Sequence, residues 1–202
     1  MTAEGLFVPE HMWLDVRHLI GGPTPGSGAN PSPLYRLSVM GLFPYLVTAV
    51  ILGNAVEATN EFVDGLAARA ATYSKANPAS FVTLQLHVTE ARALCDAGRV
   101  LLLDNCHEGT RVAERGDPPT VEQIVRWRRD GAWIAHAAKR ATDLVRNAGG
   151  GGANYLTNPM QRRFRDCHAA VVHIQTSWDA NGVDYGRVAL GLPSTNPTPA
   201  RL

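Results

Sequence analysis

Charge is scarce in this 202-residue chain. Asp, Glu, Lys and Arg together make up 18% of it, and 19 basic against 18 acidic residues leave a formal net charge of +1. So small a charge supplies no long-range field, and binding to nucleic acid or to an anionic lipid surface would need a local basic patch. The densest one, Arg126, Arg128 and Arg129 with Arg162, Arg163 and Arg165, is modest; neither nucleic acid nor membrane is an expected partner. Cysteine is scarce as well: Cys95, Cys106 and Cys167 are an odd count with no C-x-x-C pair, against a disulfide scaffold or a zinc knuckle and in keeping with a reducing cytoplasm. The chain does not open with a basic stretch followed by an apolar run, so no targeting signal is expected. Period-two alternation is nearly missing, which removes a sheet-based core.

What is present is apolar: 45% of the residues, in a chain long enough for one good core and too short for several large domains. No charged residue occurs from Leu37 to Val56, a length that matches a bilayer core of about 30 Å. Ser38, Gly41, Pro44, Tyr45, Thr48, Gly53 and Asn54 interrupt it, and the pattern continues as an amphipathic helix through Glu57, Glu61 and Asp64. A helix buried at the centre of a bundle is expected there.

Residues 1–33 read as an extended arm followed by a Gly/Pro/Ser linker, Gly21 to Pro33, that cannot build a core. Residues 34–192 read as helical. Pro44 suits the first turn of a long helix running to about Lys75, which Asn77-Pro78 breaks. A second helix, about Ser80 to Arg115, places Leu84, Val88, Ala91, Leu94, Cys95, Val100 and Leu102 at helical spacing before Gly116-Asp117-Pro118-Pro119 stops it. Thr120 with Gln123 forms a capping box for a third helix that ends near Ala148, at the glycines 149–152. Asn158-Pro159 opens a fourth helix through the Arg162 to Gln175 region, and Ser177 or Asp179 starts a last one ending at Leu190-Gly191. Residues 193–202 read as a disordered tail. The fold class that follows is all-α: an antiparallel up-down four-helix bundle with a terminal helix and an extended N-terminal arm.

Chemistry concentrates in residues 148–170. Four glycines between two helices leave backbone N–H groups approachable, and the Asn158-Pro159 helix start adds a positive dipole end, so phosphate binding is open beside a plain C-cap and turn. Arg165-Asp166 is open between a structural ion pair and a ligand contact. Asn154 and Tyr155 either edge a ligand or line a subunit contact. His173, five residues beyond His168, reads from its residues alone as a core or interface histidine, and the spacing of the two, with no acidic ligand on their face, does not make a metal site. Trp127, Trp133, Phe62 and Phe81 read as packing residues.

The glycine turn with Tyr155, Pro159 and the Arg-rich run to Arg165-Asp166 resembles the C-terminal bundle of the acyl-CoA dehydrogenase superfamily. Arg165 through His173, then Asp179-Ala180 and Tyr185-Gly186-Arg187, is more similar to the flavin-dependent monooxygenase branch, the oxygenase components of two-component aromatic hydroxylases. The resemblance covers nearly the whole chain. In dehydrogenases of the superfamily a catalytic glutamate often lies nine residues after the Arg of the Arg-Asp pair; here that position is Ile174, which takes no proton. The monooxygenase branch carries a histidine at the place of His173, beside the reacting edge of the flavin, where an imidazole serves as acid/base or positions the peroxide oxygen.

The resemblance thus implies an oxygenase component, or the C-terminal portion or subunit of one, with His173 catalytic and Gly150, Gly151, Asn154, Tyr155 and Arg165 at FAD or FMN. The reduced flavin would come from a separate reductase. The superfamily's N-terminal helical domain and β-domain have no counterpart in this sequence, so flavin is expected to bind weakly or not at all to the isolated chain, and an N-terminal-half subunit is a possible partner. The alternatives are a non-catalytic oligomerisation module derived from the same fold, or an acyl-CoA dehydrogenase relative with its base elsewhere. A homo-oligomer, dimer or tetramer, is expected from the surplus of apolar surface.

Overall fold

A computed structural model of the chain describes residues 4–67 and 77–195. Five α-helices carry the fold: α1 (Val39–Ala67), α2 (Val82–Arg115), α3 (Val121–Ala148), α4 (Pro159–Ala170) and α5 (Trp178–Ala189). There is no strand among the described residues. The architecture is all-α, as the patterning implies. The expected extension of the first helix to about Lys75 and the tail beyond Thr195 lie outside the described residues.

Short-range chemistry sets most of the helix ends. Thr120 Oγ1 accepts from the Gln123 amide at 3.2 Å while Gln123 Oε1 accepts from the Thr120 amide at 2.9 Å, the reciprocal capping box that opens α3. Asn158 Oδ1 accepts from the Met160 amide at 3.0 Å ahead of Pro159, and Ser177 Oγ accepts from the Ala180 amide at 3.3 Å. Gly116 ends α2 at φ +82°, a left-handed conformation that costs glycine little. Pro44 departs from expectation: α1 already starts at Val39 behind Ser38, whose hydroxyl accepts from the Gly41 amide, so the proline lies inside the helix.

α1 and α3 form the central pair and run in the same direction, with α2 and α4 packed antiparallel on both of them. Tyr45 donates to the Trp127 carbonyl at 2.8 Å and Thr48 to the Gly131 carbonyl at 3.1 Å. Small residues make this close approach possible. A Cβ on Gly131 would stand 2.7 Å from Pro44 Cβ, and one on Gly109 2.7 Å from a Leu42 methyl. Ala132, Ala135, Ala138 and Ala141 continue the small surface of α3, and Ile51, Trp127, Ile134 and Val145 fill the core around it. Burying each large side chain contributes about 1.5–3 kcal/mol.

Several surface assignments differ from the sequence expectation. By length and composition α1 would cross a membrane, but here it lays one face, Tyr45, Ile51, Leu52 and Phe62, into the bundle and leaves Leu46 and Val50 exposed. Val100 points outward from α2, and Trp133 and Phe81 are also exposed, whereas Trp127 and Phe62 are buried. The fourth helix is shorter than expected: α4 stops at Ala170, and Ile174–Thr176 is a separate 3-10 turn. Residues 193–195 are held down, since Ser194 donates to Asp184 at 2.9 Å and is buried.

Candidate functional site

The break after α4 decides where His173 goes. A helix through Val171, Val172 and Ile174 would be β-branched in succession, and two polar side chains stabilise the alternative. The Thr176 hydroxyl reaches the carbonyls of Ala170, Val171 and His173 at 3.3, 3.0 and 2.9 Å, and Asn181 Nδ2 donates to those of Ile174, Gln175 and Ser177. His173 therefore caps a 3-10 turn instead of continuing a helix with His168.

In that place the imidazole is exposed but not loose. Its Nδ1 accepts from the Gln175 amide at 3.2 Å, and its ring stacks on Phe43 of α1 with centroids 6.4 Å apart. An Nδ1 that accepts is unprotonated, so the neutral ring carries its hydrogen on Nε2, which makes no hydrogen bond among the described residues. Val172 and Ile174, its neighbours in the turn, and Leu46 and Val50, three and seven residues beyond Phe43 on α1, are apolar and exposed.

The glycine run stands at the other end of α4. Twelve residues at 1.5 Å each separate the two ends by about 18 Å. Gly150–Asn154 winds into a 3-10 helix instead of an open loop, so its amides are turned toward carbonyls three residues back. Gly150 has φ +64°, a conformation that favours glycine, and a Cβ on Gly149 would sit tightly against Ala153 Cβ at 3.2 Å. Gly151 is exposed with open space around it. Asn154 Oδ1 accepts from Arg146, whose guanidinium also lies over the Phe164 ring at 5.0 Å. Tyr155 projects into solvent. Beside the turn a pocket of about 230 Å³ opens, lined by Glu61, Phe62, Gly149, Ala153, Asn158 and Met160 among others, next to the positive end of α4.

Arg165 points to solvent and makes no ion pair among the described residues, while Asp166 reaches only Arg162 on its own helix, at 3.4 Å. Among the arginines of α4 the inter-helix pair belongs to Arg163, which the sequence offered only as part of a basic patch. Its guanidinium meets both Glu61 oxygens at 2.7 and 2.6 Å, and the hydrogen bonds hold the Glu61 carboxyl below its ordinary pKa. His168 joins Asp143 at 2.7 Å, with Lys139 on the other carboxylate oxygen at 2.9 Å. No group of three His, Cys, Asp or Glu able to hold a metal occurs among the described residues. Burial pushes the thiols of Cys95, Cys106 and Cys167 up, which makes them poor nucleophiles.

The structure thus keeps Gly150, Gly151, Asn154 and Tyr155 together, with His173 apart at the far end of α4 and Arg165 between. A family description, the acyl-CoA dehydrogenase C-terminal domain, matches residues 45–178. The chain is 29% identical to a pigment production hydroxylase of Rhodococcus sp. (strain ATCC 21145), over 98% of this chain and 50% of that one. It is 28% identical to the oxygenase component of an FADH(2)-dependent resorcinol hydroxylase of Rhizobium sp. (strain MTP-10005), over 95% and 49% respectively. A crystal structure of 3-HSA hydroxylase from Rhodococcus sp. RHA1 superposes with a TM-score of 0.87 at 27% identity, covering 96% of this chain and 50% of that one. The chain spans about half the length of the curated relatives it matches.

Proposed function

Because the chain belongs to the acyl-CoA dehydrogenase C-terminal domain family and is similar to the hydroxylases above, we propose that it forms the C-terminal half of a flavin-dependent monooxygenase site. The observation that carries this reading is the held ring of His173, with Nδ1 engaged by a backbone amide, the ring stacked on Phe43 and Nε2 without a hydrogen bond among the described residues. That arrangement suits one polar act: donation of a hydrogen bond from Nε2–H to a reacting oxygen; uptake of a phenolic proton at Nε2 would instead use the other neutral tautomer, with the hydrogen on Nδ1 and the bond from the Gln175 amide given up. Ile174 at the dehydrogenase glutamate position supports oxygenation over α,β-dehydrogenation.

The residues present fit a flavin as one wall of its site. Reduced FAD or FMN, delivered by a separate reductase, would supply the oxygen chemistry beside His173. The uncharged surface of Leu46, Val50 and Ile174 suits an aromatic substrate. Gly150, Gly151, Asn154 and Tyr155, about 18 Å away along α4, would serve the phosphate or adenine side of a neighbouring subunit's cofactor. Arg165, free of ion pairs, is available to the same anion. With only this half of the fold, flavin binding by the chain alone is weak, since binding must offset several kcal/mol of lost freedom with part of the contacts missing. A soluble reductase partner and a cytoplasmic location go with this reading.

The test is His173→Ala in the assembled oxygenase. Product formation is expected to fall ~100-fold or more, with melting temperature unchanged and a larger share of reduced flavin ending as hydrogen peroxide. A lowered melting temperature with an unchanged peroxide-to-product ratio would leave His173 a packing residue, and a colourless, inactive assembly with its complementing half would favour the oligomerisation module.

A further inference from the structure

We propose that Asn181 is a positioning residue for His173: it holds the backbone amide that keeps the imidazole hydrogen on Nε2. As part of an oxygenase site this rests on the reading of His173 above, and it adds which of the two neutral tautomers that site uses. The amide in question is the N–H of Gln175, 3.2 Å from His173 Nδ1. Gln175 stands between two peptide carbonyls, those of Ile174 and of Gln175 itself, and Asn181 Nδ2 on α5 reaches both, at 3.4 and 3.2 Å. The Ile174 carbonyl and the Gln175 N–H belong to one planar peptide unit. A donor on that oxygen therefore fixes the plane in which the N–H points and strengthens it as a donor. The Ser177 amide reaches the same oxygen at 3.3 Å, as the closing bond of the 3-10 turn. Thr176 engages the carbonyls of Ala170, Val171 and His173, none of which lies in that peptide unit.

The Asn181 side chain is itself fully buried, at 1% exposure. Its Nδ2 also donates to the Ser177 carbonyl at 2.8 Å, and three carbonyl oxygens, which only accept, admit only the NH2 end of the amide. Its Oδ1 is left buried without a hydrogen bond among the described residues. A bare buried acceptor costs stability, and a leucine in this place would fill similar space without that cost. What the asparagine supplies is the hold on the turn. The consequence for His173 follows from the ring. With the Gln175 N–H directed at Nδ1 and Phe43 stacked on one face, the imidazole presents Nε2–H outward and acts as a hydrogen-bond donor to a reacting oxygen. Without the hold, the ring is free to carry its hydrogen on Nδ1 and to offer Nε2 as an acceptor. Asn181 thus selects donation over proton uptake, although it touches neither substrate nor cofactor.

NMR of the nitrogen-15-labelled full chain, with no flavin present, reads the tautomer from the long-range correlations of the His173 ring. In mildly alkaline buffer, where imidazole is neutral, the wild type should show Nδ1 bare and Nε2 bearing the hydrogen. Asn181→Ser keeps a hydroxyl able to bond back to the Ser177 carbonyl four residues earlier, but too short to reach the turn. It should stay folded by circular dichroism, exchange the Gln175 amide hydrogen about ten-fold faster or more, and draw the Nδ1 and Nε2 lines toward each other as both tautomers fill. Asn181→Ala, the better helix former, gives the same readout should the serine variant lose its fold. Asn158→Ala, which loosens the far end of α4, should leave the ring lines where they are in the wild type. Ring lines unmoved in a folded Asn181 variant, with only a lower Tm, would overturn the proposal, and so would equal movement in Asn158→Ala. The oxygenase reading fails separately. In the assembled oxygenase Asn181→Ser should raise the share of reduced flavin ending as hydrogen peroxide; ring lines that move while the peroxide-to-product ratio does not would leave the hold on His173 standing and remove His173 from the oxygen chemistry.

Discussion

Replacing Gly131 with alanine tests whether α1 and α3 touch as closely as the fold requires. The new Cβ would stand 2.7 Å from Pro44 Cβ, an atom of a rigid ring inside a helix, with Thr48 Oγ1 at 3.8 Å. Carbon contacts are most favourable near 3.5–4.0 Å, so one helix must move by about 1 Å or the proline must be displaced. Overpacking of this kind costs about 1–3 kcal/mol, and the gain of alanine over glycine in a helix returns about 1 kcal/mol. The net is a loss of up to about 2 kcal/mol, which for a chain of this size lowers Tm by up to about 8 °C. Gly53→Ala is the matched control: it lies in α1 as well, but a Cβ there meets nothing within 4 Å. The control should raise Tm by about 1–4 °C through helix propensity alone. Thermal melts followed by circular dichroism compare the two. If Gly131→Ala stabilises as much as Gly53→Ala, then α1 and α3 stand further apart, and the register that seats Phe43 against His173 is wrong with them.

The Arg163–Glu61 pair should show itself in acid. Because hydrogen bonding lowers the folded pKa of Glu61 from 4.5, its contribution is present above that value and is lost as pH falls through the folded one. The Tm gap between wild type and Arg163→Ala is therefore expected to be widest near neutrality and to close below about pH 4.5; a gap independent of pH would mean that Arg163 acts by packing. Asn158→Ala removes both the cap on Met160 and the bond from Nδ2 to the Gly152 carbonyl at 3.0 Å. A loss of about 1 kcal/mol is expected, together with faster hydrogen exchange at residues 150–157, and unchanged exchange there would show that the glycine turn is held by something else.

Much of this fold was legible before any coordinates. The caps at Thr120, Asn158 and Ser177 and the stop at Gly116 act within four residues, so sequence spacing alone specifies them. The likeness of Arg165-Asp166 through His173 to one flavoprotein branch was legible for a similar reason, since a motif is a local string. Arg163 was missed among three neighbouring arginines, although it lies four residues before buried Cys167 and hence on the inward side of α4. Val100 was misplaced for the converse reason: its spacing suits either of two apolar faces on α2, and only the partners around the helix tell them apart.

The sequence by itself determined the helices, their caps, the all-α class and the family, because propensity, capping and motifs depend on neighbours along the chain. Tertiary structure alone decided which face of α1 and α2 stayed uncovered and which arginine crosses to α1. It also decided that α4 stops at Ala170, so that His173 and the glycine turn stand at opposite ends of one short helix. Those outcomes depend on contacts between residues far apart in sequence: the close approach at Gly131 and Pro44, the grip of Arg163 on Glu61, and the seating of His173 on Phe43. No local pattern encodes them, since each is the result of two helices competing for the same space.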